Sequence, residues 1–321
     1  MSAELVGLDE ILAAADRIAG VVLRTPVIDL PHPARPDTVL HCKAESLQPT
    51  GAFKLRGAYN TIAQVIDQAR ANGIVAQSSG NHARAVAWLA RRLDLRAVIV
   101  MPDAAPPTKV AAVRALGAEV ELVPPAERDL RPLDWVAKGY VHVPPYDDPR
   151  VIAGQGTVGL ELLEQVPDLE TVLVPVSGGG LIAGVATAVK MLRPEAKVIG
   201  VEPVLAADAA ESLRSGRRIT WEPERTYRTV ADGLRTTALG VHPWQHVRRY
   251  VDEIVTVTDE QILAAVRYLA IEGRLVAEPA GAAAAAAWMH ETVPVGPGTA
   301  AIVSGGSIDP ALLASVLGVP A

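Results

Sequence analysis

The chain has 321 residues, half of them apolar, with a formal charge of −6 and no long run of like charge. That length can bury a large core in two lobes, while the acidic balance and a stock of one Phe and six Tyr exclude a nucleic-acid surface. The single cysteine, Cys42, has no internal partner, so a reducing, cytoplasmic setting is expected.

Met1 to Gly20 reads as an amphipathic helix interrupted by Asp9, Glu10 and Asp16, without the charged start and unbroken apolar centre of a signal peptide. Arg24-Thr25-Pro26 breaks the chain, and Thr38 to Lys43 alternates as a short strand. Gln48-Pro49-Thr50-Gly51 predicts a turn, with Thr50 as N-cap of the amphipathic run from Phe53 to Val65, in a helix that ends near Asn72-Gly73. Lys54 falls in the first turn of that helix. There the positive end of the helix dipole opposes an ammonium and favours the neutral amine, the form that attacks a carbonyl. Taken alone, the same lysine also fits an ordinary solvated surface.

Ile74 to Ala76 is a strand that enters Gln77-Ser78-Ser79-Gly80-Asn81-His82 and then a helix from Ala83 to Leu93. Strand, polar loop and helix in that order make a binding-site architecture. Ala97 to Met101 is again a strand, Pro107 to Leu116 a helix closed by Gly117, and Glu119 to Val123 a strand. The alternation implies right-handed βαβ units on a mostly parallel sheet. Residues 124–150 are proline-rich and expected to be irregular apart from Tyr140-Val141-His142-Val143, forming a crossing between lobes.

Beyond it come a helix from Thr157 to Gln165, a strand from Thr171 to Val176, a helix from Gly184 to Leu192 and a strand from Lys197 to Val201. Residues 203–250 hold weaker, loop-rich helices. Glu253 to Val257 is a strand, followed by a helix from Asp259 to Gly273 capped by Thr258 or Asp259. The alanine-rich run from Ala280 to Met289 is too short to cross a bilayer and reads as a core helix, so no membrane contact is expected. Ala300 to Val303 is the last strand and opens into Ser304-Gly305-Gly306-Ser307. The fold class is α/β, with two lobes each built on a mostly parallel sheet flanked by helices. No compositional boundary separates them, so they are expected to interleave: residues 1–72 and 148–321 as the larger, 73–147 as the smaller.

Pro175-Val176-Ser177-Gly178-Gly179-Gly180-Leu181 carries the sharpest anion signal, because successive glycines before a helix let backbone amides converge on a phosphate. It lacks the lysine of a Walker loop. Glycines there also serve tight helix–sheet packing. Gly154-Gln155-Gly156-Thr157-Val158-Gly159 matches the dinucleotide fingerprint, but Asp147-Asp148-Pro149-Arg150 before it has little strand character. Ser78, Ser79, Asn81 and His82 offer donors suited to a carboxylate, or else a cap and a polar turn. The histidines show no metal spacing, and no Gly-x-Ser-x-Gly elbow supports a hydrolase. Glu202 and Asp208 flank a short loop whose carbonyls could join them around a hard cation; read alone, two acids are more often solvated.

A lysine placed to attack a carbonyl, a phosphate cup and a carboxylate loop together suggest a pyridoxal phosphate enzyme. The chain resembles the serine/threonine ammonia-lyase (dehydratase) and serine racemase family of fold type II, which is tryptophan synthase β-like. The resemblance rests on five segments in the family's order: Leu47 to Ala58 around Lys54, Ser78 to His82, Ile152 to Thr157, Pro175 to Leu181 and Val303 to Gly306. It implies that Lys54 holds the cofactor as an imine, Phe53 lies against the ring, Asn81 meets the ring's 3′-oxygen and Ser304 faces the pyridine nitrogen. Gly178, Gly179, Gly180 and Leu181 would bind the phosphate, and Ser78, Ser79, Asn81 and His82 the substrate carboxylate. Glu202, Asp208 and the carbonyl of Ala206 match the family's divalent-cation site, for Mg2+ or another ion. A homodimer is implied as well.

The sequence departs from the family with Ser307 where Asn is usual, with Arg84-Ala85 where Gln-Gly is usual, and in a short span from Pro124 to Gly139. No regulatory domain is expected after residue 321, and with it no feedback control of the kind found in the biosynthetic threonine enzyme. The activity implied is β-elimination from a hydroxy amino acid of the L-threonine or L-serine type to a 2-oxo acid and ammonia. Lys54 takes the Cα proton. A neutral hydroxyl at Ser304 stabilises a protonated pyridine less than a carboxylate would, which favours prompt loss of the leaving group. The alternatives are a serine or hydroxyaspartate racemase/dehydratase, with Ser79 as acid/base on the opposite face, and a non-catalytic ligand-binding protein on the same fold.

Overall fold

Residues 5–318 are described by the computed structural model. Helix α1 (Leu8–Ile18) buries Ile11, Ala14 and Ile18, and Glu10 accepts from the Gly7 N–H at 3.0 Å, satisfying a donor just ahead of the helix. The helix is thus shorter than expected at both ends, and residues 1–4 lie outside the described part. Strands β1 (Val27–His32) and β2 (Arg35–Lys43) follow as an antiparallel pair. Only the second is legible as alternation. The expected single helix after the turn is two, α2 (Lys54–Gln64) and α3 (Ile66–Asn72), because Val65 leaves helical geometry at φ −127°. Gly73, at φ +90°, stops the second, a conformation glycine adopts freely.

The βαβ alternation appears as expected: β3 (Ile74–Gln77), α4 (Asn81–Leu93), β4 (Ala97–Pro102), α5 (Pro107–Ala115) and β5 (Glu119–Val123). The segment expected to be irregular holds a helix, α6 (Arg131–Ala137), before the short strand β6 (Val141–His142). Pro132 hides it from a pattern reading, yet it sits in the first turn, where a missing N–H costs nothing. Helix α7 (Pro149–Gln165) starts eight residues earlier than expected, with the Asp148 side chain accepting from the Arg150 N–H at 2.7 Å. The dinucleotide fingerprint lies inside this buried helix, which rules it out as a phosphate turn. Its glycines instead permit helix contacts: a Cβ on Gly154 would stand 2.7 Å from the Cα of Gly57, and one on Gly156 3.0 Å from the Gly184 carbonyl.

The chain continues through β7 (Thr171–Pro175), α8 (Gly180–Leu192), β8 (Lys197–Pro203), α9 (Asp208–Ser215), α10 (Pro223–Thr226) and α11 (Val241–Tyr250). Strand β9 (Glu253–Val257) leads to α12 (Asp259–Ile271), where Thr258 is the cap: its side chain accepts from the Gln261 N–H while Gln261 accepts from the Thr258 N–H. The alanine run is the buried helix α13 (Pro279–Met289), followed by β10 (Thr299–Ile302) and α14 (Pro310–Leu317).

Two sheets result. One has six strands in the order β1-β2-β10-β7-β8-β9, parallel except for the β1 edge; the other has four parallel strands in the order β5-β4-β3-β6. Alternation along β7 sends Leu173 into a core with α12 and α13, and Val172 and Val174 into a core with α7, α8 and α11. In the four-stranded sheet Ile74, Ala76 and Ile99 pack against α2 and α4, whereas Val75, Val98 and Val100 form a smaller cluster with Trp135 and Tyr140. Both faces of each sheet are covered, as parallel sheets require. No described helix is long and apolar enough to cross a membrane.

Candidate active site

Lys54 is the first residue of α2, and Phe53 precedes the helix. Thr50 is not the cap: its hydroxyl is buried without a hydrogen-bond partner, because the Gln48 carbonyl takes the Gly51 N–H and closes the turn by backbone alone. Gly51 stands at φ +78° in this turn. The lysine amine donates to the Pro145 carbonyl at 2.7 Å, and its ammonium would lie 5.1 Å from the centroid of the Phe53 ring. Enclosure by protein lowers its pKa to about 8. Burial is the dominant cause here, where helix dipole alone was the expectation.

Just past Lys54 the helix is clamped from within. The guanidinium of Arg56 is fully buried and donates to Glu45 at 2.7 and 2.8 Å and to Glu161 at 2.7 and 2.9 Å. Lys43 joins the same cluster through Glu161 at 2.6 Å, Gln165 at 2.8 Å and the Thr25 carbonyl at 2.8 Å. Two cations and two carboxylates balance, so the charges tolerate burial while locking α2 to α7 and β2.

The glycine cup lies at the C-terminal end of β7 and the N-terminus of α8, whose first amides lack intrahelical partners. It admits no side chains. A Cβ on Gly178 would fall 2.4 Å from the Tyr146 ring, and one on Gly179, at φ +89°, 2.6 Å from Leu239. Tyr146 follows the Pro145 carbonyl that holds Lys54, so one short segment touches both the lysine and the cup. Ser177 bonds Thr236 at 2.8 Å through their hydroxyls.

At the end of β10, the Ser304 carbonyl accepts from the Phe53 N–H at 3.1 Å, and Gly305 bridges Ala52. Ser304 and the lysine turn are therefore adjacent, 250 residues apart in sequence. The loop from β3 to α4 carries Ser78, whose hydroxyl accepts from the Gly80 N–H at 3.1 Å, and the partly accessible Ser79. The Asn81 amide donates to Glu278 at 2.5 Å. The His82 ring is buried and donates to the Val143 carbonyl at 2.8 Å; burial and the neighbouring Lys54 charge push its pKa down to about 3. It is neutral at physiological pH and offers no cationic ring. Arg84 and Ser307, two of the departures, meet at 3.5 Å beside the Gly51 turn.

Glu202, Ala206 and Asp208 lie together at the end of β8 and the start of α9, all buried. Glu202 accepts from the Ala209 and Ala210 N–H groups at 3.2 and 2.8 Å, while one Asp208 carboxylate oxygen has no partner. Burial raises both acids, Asp208 to about 7, and the Asp208 charge lifts Glu202 further. No group of three or more His, Cys, Asp or Glu side chains is gathered for a metal among the described residues.

Glu278, Tyr146 and the Pro145 carbonyl escape a sequence reading. Glu278 is 197 residues from its partner Asn81, and only its place before Pro279 at a helix start marks it at all.

The arrangement accommodates pyridoxal phosphate: an amine of lowered pKa, a glycine cup closed to any Cβ and joined to that amine by Pro145-Tyr146, and Ser304 beside the lysine turn. The family model described as "Pyridoxal-phosphate dependent enzyme" matches residues 18–305. The L-threonine ammonia-lyase of Thermotoga maritima is 44% identical over 84% of this chain and 67% of its own. The L-threo-3-hydroxyaspartate ammonia-lyase of Saccharomyces cerevisiae is 38% identical over 94% of this chain and 93% of its own. The structure of maize serine racemase superposes with a TM-score of 0.90 at 37% identity, covering 97% of both chains. The chain belongs to the pyridoxal-phosphate dependent enzymes of fold type II.

Proposed function

We propose that the protein is an ammonia-lyase that eliminates the β-hydroxyl of a hydroxy amino acid, of the L-threonine or L-serine type, and releases a 2-oxo acid and ammonia. The observation that carries this is the Lys54 amine, lowered to about 8 at a helix start and facing the segment that touches the glycine cup. The two ammonia-lyase relatives support the same reaction.

In this reading Lys54 anchors the cofactor, Phe53 packs against its ring, and Gly178, Gly179, Gly180 and Leu181 hold its phosphate. Asn81 and Ser304 contact ring oxygen and nitrogen. The bound cofactor supplies an electron sink for the Cα carbanion. Ser78, Ser79 and Asn81 hold the substrate carboxylate, with His82 contributing its main-chain N–H because its ring is committed to Val143. With the substrate amine in its place on the cofactor, the Lys54 amine would take the Cα proton; that proton and the β-hydroxyl would be lost together as one water, and the enamine so formed would be released and hydrolysed to oxo acid and ammonia. Glu202, Asp208 and the Ala206 carbonyl take a divalent cation, a role supported by the unpartnered Asp208 oxygen. Residues 73–147 form the closing lobe, and the working unit is a cytoplasmic homodimer.

A racemase reading is favoured by the partly accessible Ser79 on the loop beside Asn81. L-Serine, D-serine, L-threonine and threo-3-hydroxyaspartate, each incubated with the holoenzyme and followed for oxo acid and for enantiomer, divide the two. Oxo acid in excess of inversion supports the lyase. Inversion in excess makes it a racemase, and neither product, without visible imine absorption, overturns both.

A further inference from the structure

We propose that Glu278 is a positioning residue: its carboxyl fixes the Asn81 carboxamide across the seam between the two sheets and sets which amide hydrogen remains for the bound cofactor. The proposal rests on the reading of Asn81 as the ring contact. Asn81 opens α4 beside the four-stranded sheet, whereas Glu278 precedes α13 beside the six-stranded one. Their side chains meet at 2.5 Å.

A carboxamide has two N–H hydrogens and one oxygen and turns freely when nothing holds it. With one hydrogen given to Glu278, the second hydrogen and the oxygen face a defined direction. Glu278 is itself fixed. It is buried, and its own N–H donates to the Gly305 carbonyl at 3.0 Å. The loop that carries Ser304 makes room for this contact: a Cβ on Gly305 would stand 2.5 Å from the Glu278 oxygen and 3.0 Å from the Asn81 nitrogen. Two further charged groups act on the carboxyl, Asp232 ahead of α11 and Lys109 on α5, which pair with each other at 2.5 Å across the same seam. Burial and Asp232 hold Glu278 up to about 7, so the carboxyl can stand near a ring oxygen without a full opposing charge.

The test is the affinity of the apoenzyme for pyridoxal phosphate, read by absorbance titration, in E278A, E278D, E278Q, N81A and N81A/E278A, with a thermal melt of each. E278A and E278D, which lose or cannot reach the amide, are expected to raise Kd about tenfold, the scale of one buried hydrogen bond. E278Q, whose oxygen still accepts, recovers most of that loss, and N81A/E278A binds no more weakly than N81A. Wild-type affinity in E278D and E278A, or penalties at 278 and 81 that add in full, overturns the proposal while leaving Asn81 as a contact. Wild-type affinity in N81A overturns the Asn81 reading and the proposal with it. If E278A fails to fold, E278D and the N81A/E278D pair decide alone.

Discussion

The Lys54 amine donates to the main-chain carbonyl of Pro145 at 2.7 Å. The helix that opens on the lysine and the segment that returns from the four-stranded sheet thus meet at one pair of atoms. The next residue, Tyr146, closes over the glycine cup. A shift of that segment therefore moves the wall beside the lysine and the wall of the cup together.

The neutral amine is the form that captures a carbonyl, and burial lowers Lys54 from 10.5 to about 8. The initial rate at which apoenzyme takes up pyridoxal phosphate should therefore rise with pH and level off above about 8, more than two units earlier than for a free lysine. Stopped-flow absorbance of the imine checks this. K54A should lose that absorption and cut turnover on the order of 10³-fold or more.

Gly179 stands at φ +89° with Leu239 and Pro243 where a Cβ would be, at 2.6 and 2.9 Å. G179A should weaken pyridoxal phosphate binding at least about tenfold and cost about 1–3 kcal/mol of stability from the strained backbone. Equilibrium titration and urea unfolding separate the two effects.

His246 accepts from the Val6 N–H at 3.2 Å and shares its other nitrogen with Thr187 at 2.9 Å, and burial lowers it to about 4. The unfolded chain takes this proton near the ordinary 6.5, well before the folded one. The contribution of the neutral ring is thus complete above pH 6.5 and shrinks as pH falls toward 4. Relative to wild type, H246Q should lose less stability between pH 7 and pH 5, by about 2 kcal/mol. Urea unfolding at the two values measures it.

Asp208 is raised to about 7, so its burial is tolerated at low pH and costs stability as pH rises through that value. A divalent cation would offset this cost only where the carboxylates are ionised. Added Mg2+ or Ca2+ should raise the melting temperature at pH 8 and leave it unchanged at pH 5, and D208N should abolish the response. Equal melting temperatures with and without chelator at pH 8 would count against the cation.

Replacing the buried Arg56 guanidinium with methionine leaves Glu45 without its cation and Glu161 with Lys43 alone, and should cost about 3–5 kcal/mol. The loss should exceed that of replacing the exposed Arg24 of the Arg24–Glu164 pair by several-fold. Chemical denaturation of both variants makes the comparison.

Much of the fold is legible because its strands and helices carry strong local periods. Ile74 to Gln77, Ala97 to Pro102 and Thr171 to Pro175 are apolar strands bounded by turn residues, and they appear where the pattern puts them. The failures have specific causes. Pro132 masks α6 although the first helical turn accepts it, and Val65 breaks a helix that its apolar neighbours would continue. The fingerprint at Gly154 is discounted in the sequence by the missing strand before it, and the contact with Gly57 shows what its glycines serve, which is close helix packing.

Sequence alone picks out the candidate chemistry carriers here. A lysine after a glycine turn, a run of three glycines before a helix and a serine–asparagine loop are local patterns, whose meaning comes from backbone geometry within a few residues. Tertiary structure alone decides what surrounds them: the burial that lowers Lys54, the neutral ring of His82, the Pro145 carbonyl, and the reach of Glu278 to Asn81. Desolvation and hydrogen bonds across 91 or 197 residues depend on where two sheets bring their strand ends, and no local pattern encodes that distance.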